Sequence, residues 1–389
     1  MAHGLTSAGL AELHAAAARH IGSDRVPGLV ALVASGDDVH VEVLGMLSVS
    51  GPPVARDSLW RIASVTKPVT GVATMALIEE GLIGLDEPVD QLLPELADRR
   101  VLRRIDGPLD DTVPADRPIT TRDLLTFTFG FGMVTEMFTA PEPWPIQAAV
   151  DELLLGALGA PDPASKPAPD NWMAGFGSLP LMAQPGERWM YNTGAHVLGV
   201  LLARAAGQSF GEVLQTRIFD PLGMADTTFW TGHRDRLATA YQPTQDGLIV
   251  ADPPEGAWSK PPAFEDGAAG LVSTVDDLYA FARMFTGGGA PVLAPESVAA
   301  MTVDQLTPEQ KARGGLGFDF FDHQSWSYCQ AVQDTGAFGW NGGYGSSWLI
   351  DPVRDLIVIV QTQRMFESPK LPLVHRDIQA AAYAAVAGS

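Results

Sequence analysis

Leu10, Leu13, Ala17 and Ile21 recur at intervals of three and four residues, which predicts an amphipathic helix near the N-terminus. "LVALVASGDDVHVEVLGML" follows and reads as two strands joined by a turn at Gly36-Asp37-Asp38. The apolar run beginning at Ser64, "SVTKPVTGVATMALIEEGL", predicts a helix to about Glu80 with Gly81 just past its end. Pro68 suits its first turn, where a missing amide has no intrahelical partner to lose. From about 95 to 265 the pattern breaks into proline-rich loops such as "APDPASKPAPDNW" and helical runs such as "AHVLGVLLARAAG" and "FGEVLQTRIF". "STVDDLYAFARMF" is a helix capped by Ser273 or Thr274, with acids in its first turn. "SSWLID" and "DLIVIVQTQ" are strands separated by the turn "PVR", and the helix "HRDIQAAAYAAVA" closes the chain. Strands at both ends with helices between predict one α/β unit from residues 1–95 and 266–389, and a mostly helical insertion at 96–265.

The 389 residues are 46% hydrophobic and 18% charged, a globular composition with enough chain for a large core. A net charge of −21 argues against nucleic acid and anionic membrane surfaces as partners, since both require clustered Lys and Arg. The excess of acids also reads simply as a solubilising coat. Cys329 is the single cysteine, so no internal disulfide or cysteine-based zinc site is possible. The N-terminal segment lacks a basic start and an unbroken apolar stretch, and no run of about 18 apolar residues occurs. The expectation from these features is a cytoplasmic protein. The eight histidines lack a metal-ligand spacing, so neither metal nor cofactor is expected.

Ser64 stands three places before Lys67, one helical turn apart on the same face. Among the five lysines, Lys166 and Lys260 precede prolines and Lys370 sits in "ESPKLP", all reading as exposed loops, while Lys67 lies among Val65, Val69 and Val72. Burial lowers an ammonium's pKa and frees an amine that can take a serine proton. The plainer reading makes Ser64 an N-cap and lets Lys67 reach out to water. Neither reading is excluded by this segment.

Further segments occur in a telling order: "RIASVTKP", "LIEEGLIGLDEPVDQLLPEL", "TTRDLLTFTFGFG", "PGERWMYNTGAHVLG", "IFDPLGMADTTF", "GLVSTVDDLYAFARMF" and "WNGGYGSSWLIDP". Together they resemble the serine β-lactamase and penicillin-recognising enzyme superfamily, most closely its class C β-lactamase branch and the family VIII carboxylesterases. The resemblance spans nearly the whole chain. It implies a β-lactamase/DD-peptidase-like fold, an antiparallel sheet flanked by helices. It also implies Ser64 as nucleophile, Lys67 as its partner and Tyr191 as proton relay, with ester cleavage through an acyl-serine. Trp340, Asn341 and Gly342 occupy the third motif as substrate-binding positions, and the Gly343 and Ser64 amides would form the oxyanion hole. Taken alone, Tyr191 reads rather as an ordinary core tyrosine with a satisfied hydroxyl.

Two departures bear on the substrate, expected to be a small-molecule ester. β-Lactamases carry Tyr-x-Asn where this chain has Tyr191-Asn192-Thr193, so the amide that would meet a β-lactam side chain is displaced. Trp340 stands where β-lactamases and peptidases use a lysine to hold a substrate carboxylate, and tryptophan there is similar to family VIII carboxylesterases. Phe127, Phe129 and Phe131 either pack in the core or line an acyl pocket. The competing activities are β-lactamase or D-alanyl peptidase, acyltransfer from the same acyl-enzyme, and an inactive binding module. "GQSFG" at 207–211 imitates a nucleophile elbow, but a helix precedes it, so Ser209 and Glu212 read as a capping box. His196 is expected near the mouth of the site without a chemical role.

Overall fold

The computed structural model describes residues 4–22, 24–317 and 319–386. Its centre is a seven-stranded antiparallel sheet, ordered edge to edge as Asp38–Gly45, Gly28–Ser35, Leu356–Thr362, Ser346–Asp351, Phe338–Gly342, Ala331–Gln333 and Gln324–Trp326. The sheet draws on both ends of the chain. Gly36 and Asp37 alone make the first turn, because Asp38 already pairs with Ser35. Gly36 has φ +60°, the left-handed geometry that two-residue hairpins favour.

The second and third strands of this order, Gly28–Ser35 and Leu356–Thr362, are buried on both faces. Val30, Leu32, Ile357 and Ile359 face the larger core, which also holds the helix Thr66–Glu79. Leu29, Ala31, Val358 and Val360 face the opposite side, under the first helix, Ser7–Ala18, and the last, Leu373–Ala385. Leu13 and Ala17 are fully buried there, as their spacing predicts, whereas Ile21 lies beyond the helix, bridging to Val26. Gly9 is required at the crossing, since a β-carbon there would stand 2.4 Å from Ala385 Cα.

Residues 96–265 hold the helices Pro145–Glu152, Pro169–Ser178 and Thr193–Ala206, among shorter ones. They also hold two β-ribbons, Arg100–Leu102 with Thr112–Pro114 and Ala240–Thr244 with Gly247–Asp252. The larger hydrophobic core continues without a break from the sheet into this region. Gly207, at φ +64°, ends the helix Thr193–Ala206, and Ser209 caps the next one by accepting from Glu212 N (3.2 Å) while Glu212 accepts from Ser209 N (2.8 Å). Thr274, rather than Ser273, caps Val275–Thr286. No single helix among the described residues is long and apolar enough to cross a membrane.

The last helix carries a buried histidine, His375, whose Nδ1 lies 2.9 Å from Ser347 Oγ. Burial pushes its pKa down to about 3. An unfolded histidine titrates near 6.5 (roughly). Below that pH the unfolded chain therefore binds one proton more than the folded one, and His375 makes stability fall as the pH drops toward about 3. The expected slope is about 1.4 kcal/mol per pH unit between pH 6 and 4. Denaturant unfolding of His375→Gln should show a slope smaller by about that amount than the unaltered protein.

Candidate active site

Ser64 sits in a 3₁₀ turn, Ala63–Val65, that runs into the helix Thr66–Glu79. It is not the cap of that helix, since no side chain caps either segment. Two tethers fix the turn. Ile62 N donates to Leu271 O (3.0 Å), and Ile62 O accepts from Ser346 Oγ (2.8 Å). Gly342 lies against the same carbonyl, and a β-carbon on it would stand 2.1 Å from Ile62 O. Only glycine lets the end of the strand Phe338–Gly342 come this close to the serine turn. Ala63 (φ +43°), Phe127 (φ +59°), Asn192 (φ +87°) and Cys329 (φ +61°) all have positive φ, so strained backbone gathers around this point.

The helix is buried from Thr66 to Leu77, which leaves Lys67 no route to solvent. Its Nζ lies 3.0 Å from Ser64 Oγ and 2.8 Å from Ala268 O, and 4.6 Å above the Tyr191 ring centroid. Loss of water pushes the ammonium down to about 7, with the charge of Asp266 opposing and that of Lys166 assisting. A large fraction is therefore neutral amine near pH 7. The solvent-reaching alternative for Lys67 is excluded by its zero exposure.

Tyr191 enters two residues before the helix Thr193–Ala206, its backbone bridged to Met133. Phe127, Trp326 and Trp340 surround its ring at centroid distances of 6.0, 6.2 and 5.6 Å. Trp340 Nε1 donates to Tyr191 Oη (2.8 Å). The indole thus holds the phenol oxygen in place, a role that its apolar character does not reveal in sequence. Burial pushes the Tyr191 phenol up to about 12, while hydrogen bonds with Ser64 and Trp340 pull the other way. It keeps its proton at neutral pH and can act as a donor.

Ser64, Tyr191, Trp340, Asn341 and Gly343 line one cavity of about 1010 Å³. A β-carbon at Gly343 would meet nothing within 4 Å, so this residue borders open space. Gly342 is absent from the wall because it packs on Ile62. Phe127 and Phe129 do not line the cavity either; both are fully buried, Phe127 against Trp189 and Trp326 and Phe129 against Phe176. Phe127 belongs to the packing around Tyr191 and Phe129 to the core beside Phe176, and neither lines an acyl pocket. Met133, Leu158, Leu316 and Phe320 supply apolar wall instead. Asn192 borders the cavity, but its Nδ2 donates to Ala157 O (3.2 Å), so the displaced amide holds a loop.

Lys166, which reads as a loop lysine in sequence, is buried beneath this wall. Its Nζ lies 3.0 Å from His196 Nε2 and pairs with Asp266 Oδ2. His196 and Asp266 border the cavity from inside rather than at its mouth. Nothing local could reveal this cluster, since its members are separated by 30 and 70 residues and Lys166 precedes a proline.

The sequence profile of the Beta-lactamase family matches residues 13–383. The chain belongs to the Beta-lactamase family. Protein Rv1367c of Mycobacterium tuberculosis is 35% identical over 359 residues, covering 87% of this chain and 83% of that protein. Esterase EstB of Burkholderia gladioli is 29% identical over 373 residues, covering 90% and 89%. Among solved structures, EstCE1, described as a hydrolase with promiscuous acyltransferase activity, superposes with a TM-score of 0.81 at 24% identity, covering 96% and 98%. The antiparallel sheet flanked by helices is the fold of this family, as the ordered segments imply.

Proposed function

We propose that this protein is a serine carboxylesterase that cleaves neutral small-molecule esters through an acyl-Ser64 intermediate. One observation carries the reading: a fully buried Lys67 amine 3.0 Å from the Ser64 hydroxyl. EstB, 29% identical over most of both chains, is named an esterase, which supports the same class. In the proposed reaction, Ser64 Oγ attacks the ester carbonyl carbon as its proton passes to the neutral Lys67 amine. The amides of Ser64 and Gly343 receive the developing oxyanion. Tyr191 gives its proton to the departing alcohol oxygen and is reprotonated from Lys67. Water then attacks the acyl carbon along the reverse path and releases Ser64. An alcohol in place of water would make the same site an acyltransferase, and the cavity of about 1010 Å³ leaves room for it.

Substrate charge separates this reading from a β-lactamase or D-alanyl peptidase. Position 340 offers an indole where a carboxylate-binding enzyme needs a cation. Arg313 and Arg364 do not replace it: they pair with Glu187 and Glu367, each at 2.7 Å, and neither lines the cavity. Lys370, paired with Asp319 at 2.7 Å, and Arg376 do border the cavity, so the expectation of neutral esters rests on the missing cation at position 340 itself. Intact-mass detection of acyl adducts across nitrophenyl esters, cephalosporins and D-alanyl peptides tests this, and faster turnover of a cephalosporin than of nitrophenyl butyrate at matched concentrations would overturn it.

Trp340 offers a finer test. Trp340→Phe keeps the wall but removes the donor to Tyr191, and kcat should fall by about fivefold to tenfold, the worth of one hydrogen bond. Trp340→Lys should shift kcat/KM toward anionic esters by about tenfold for each 1.4 kcal/mol recovered by the new charge pair.

A further inference from the structure

We propose that Lys166, Asp266 and His196 are positioning residues that hold the Ala268 carbonyl on Lys67 and set the field in which Lys67 exchanges its proton. The inference rests on the reading of Lys67 as the base for Ser64. The three side chains are 0%, 4% and 1% exposed. His196 Nε2 lies 3.0 Å from Lys166 Nζ and 3.4 Å from Asp266 Oδ1, while its buried Nδ1 has no hydrogen-bond partner among the described residues. Beside an ammonium, which only donates, Nε2 is the acceptor, and we place the imidazole proton on Nδ1. Asp266 accepts from Lys166 through Oδ2 and from Ala268 N (2.7 Å) through Oδ1. A buried ion pair of this kind adds little stability over apolar packing. Its position accounts for it better.

Asp266 organises the turn that follows it. Its main-chain oxygen accepts from Gly270 N (2.9 Å), while its side chain ties down the Ala268 amide. Gly267 O accepts from Thr70 Oγ1 (2.6 Å), and Leu271 N donates to Thr66 Oγ1 (3.2 Å), so the turn is stitched to the helix that carries Lys67. Gly267 also has no room for a side chain, since a β-carbon would stand 2.5 Å from Ala195 O. The result is a fixed Ala268 carbonyl 2.8 Å from Lys67 Nζ. When Lys67 is neutral, one N–H held by this carbonyl leaves the lone pair free to face Ser64 Oγ. A lysine without the anchor would rotate and lose that alignment.

The cluster also balances charge. Lys67 is faced by Asp266 and Lys166 through the turn, by His196 from the helix Thr193–Ala206, by Cys329, and by the Tyr191 phenol. Burial keeps His196 neutral, its pKa pushed down to about 4, and keeps the Cys329 thiol protonated. At Lys67, Asp266 favours the protonated form and Lys166 opposes it more weakly. Removing one leaves the other acting alone, and the two removals act with opposite sign.

The test is the acid limb of kcat/KM against pH for a nitrophenyl ester, with Lys67 followed directly in protein carrying ¹⁵N-ζ lysine, where only five lysines contribute signals. Asp266→Asn should move the limb and the Lys67 titration to lower pH by at least about half a unit, a threefold change in proton affinity. Lys166→Met combined with His196→Asn, which blocks proton uptake by the imidazole, should move both to higher pH. Lower kcat with an unmoved limb, or shifts of the same sign, would overturn the proposal and leave a structural role only. Should the variants not fold, the unaltered protein still decides: at neutral pH His196 must be an Nδ1–H imidazole, and an Nε2–H imidazole ends the proposal. Failure of the base reading would look different, since Lys67→Ala would then keep its activity whatever the titrations show.

Discussion

Ser64→Ala should abolish ester hydrolysis, while Ser209→Ala should leave turnover nearly intact and cost about 1 kcal/mol of stability through the lost cap. The two serines compete for the role of nucleophile on sequence grounds, and their surroundings differ sharply. Ser64 faces the cavity with an amine 3.0 Å from its oxygen. Ser209 sits in an exposed capping box, its hydroxyl accepting from the Glu212 amide and the Glu212 carboxylate occupied by the Ser209 amide. A serine-reactive phosphonate should label Ser64 alone, read by peptide mass. Labelling at Ser209, or hydrolysis surviving in Ser64→Ala, would remove the basis of the proposed reaction.

Lys67→Ala and Tyr191→Phe should each lower kcat by about 100-fold or more, the low end for general acid–base catalysis. The double variant should be little worse than either single one, because the groups pass a single proton among Ser64, the amine and the phenol. Multiplicative losses would mean independent contributions. The pH profile supplies a second readout. Lys67 must be neutral to accept the serine proton, and its pKa is pushed down to about 7, so kcat/KM should rise with pH through that value and level off above it. The limb near 7 should vanish from whatever residual rate Lys67→Ala retains.

The family is legible in the sequence because several short segments, each weak alone, occur in one order along nearly the whole chain. The pair Ser64 and Lys67 left two readings open. What separated them was the environment of Lys67: helix residues around it, the Ala268 turn some 200 positions later, and Tyr191 beneath it. Trp340 shows the same limit. Its missing charge could be read from the residue type, but its bond to Tyr191 depends on a strand and a helix start that are 149 positions apart.

By itself the sequence determined the features that depend on near neighbours. Apolar periodicity marks the helices and strands, Gly36 and Gly81 mark a turn and a helix end, and Ser209 with Glu212 marks a cap, because these are set within a few residues by backbone geometry and local hydrogen bonds. Tertiary structure alone decided which charges lose water. Lys166 and Lys67 differ completely in local sequence, yet both are buried, since helices and turns from distant parts of the chain close over them. It also decided that Phe127 and Phe129 fill the core while Met133 and Leu316 wall the cavity. All four are apolar, and the pattern along a chain tells which residues leave water without telling which surface they will meet.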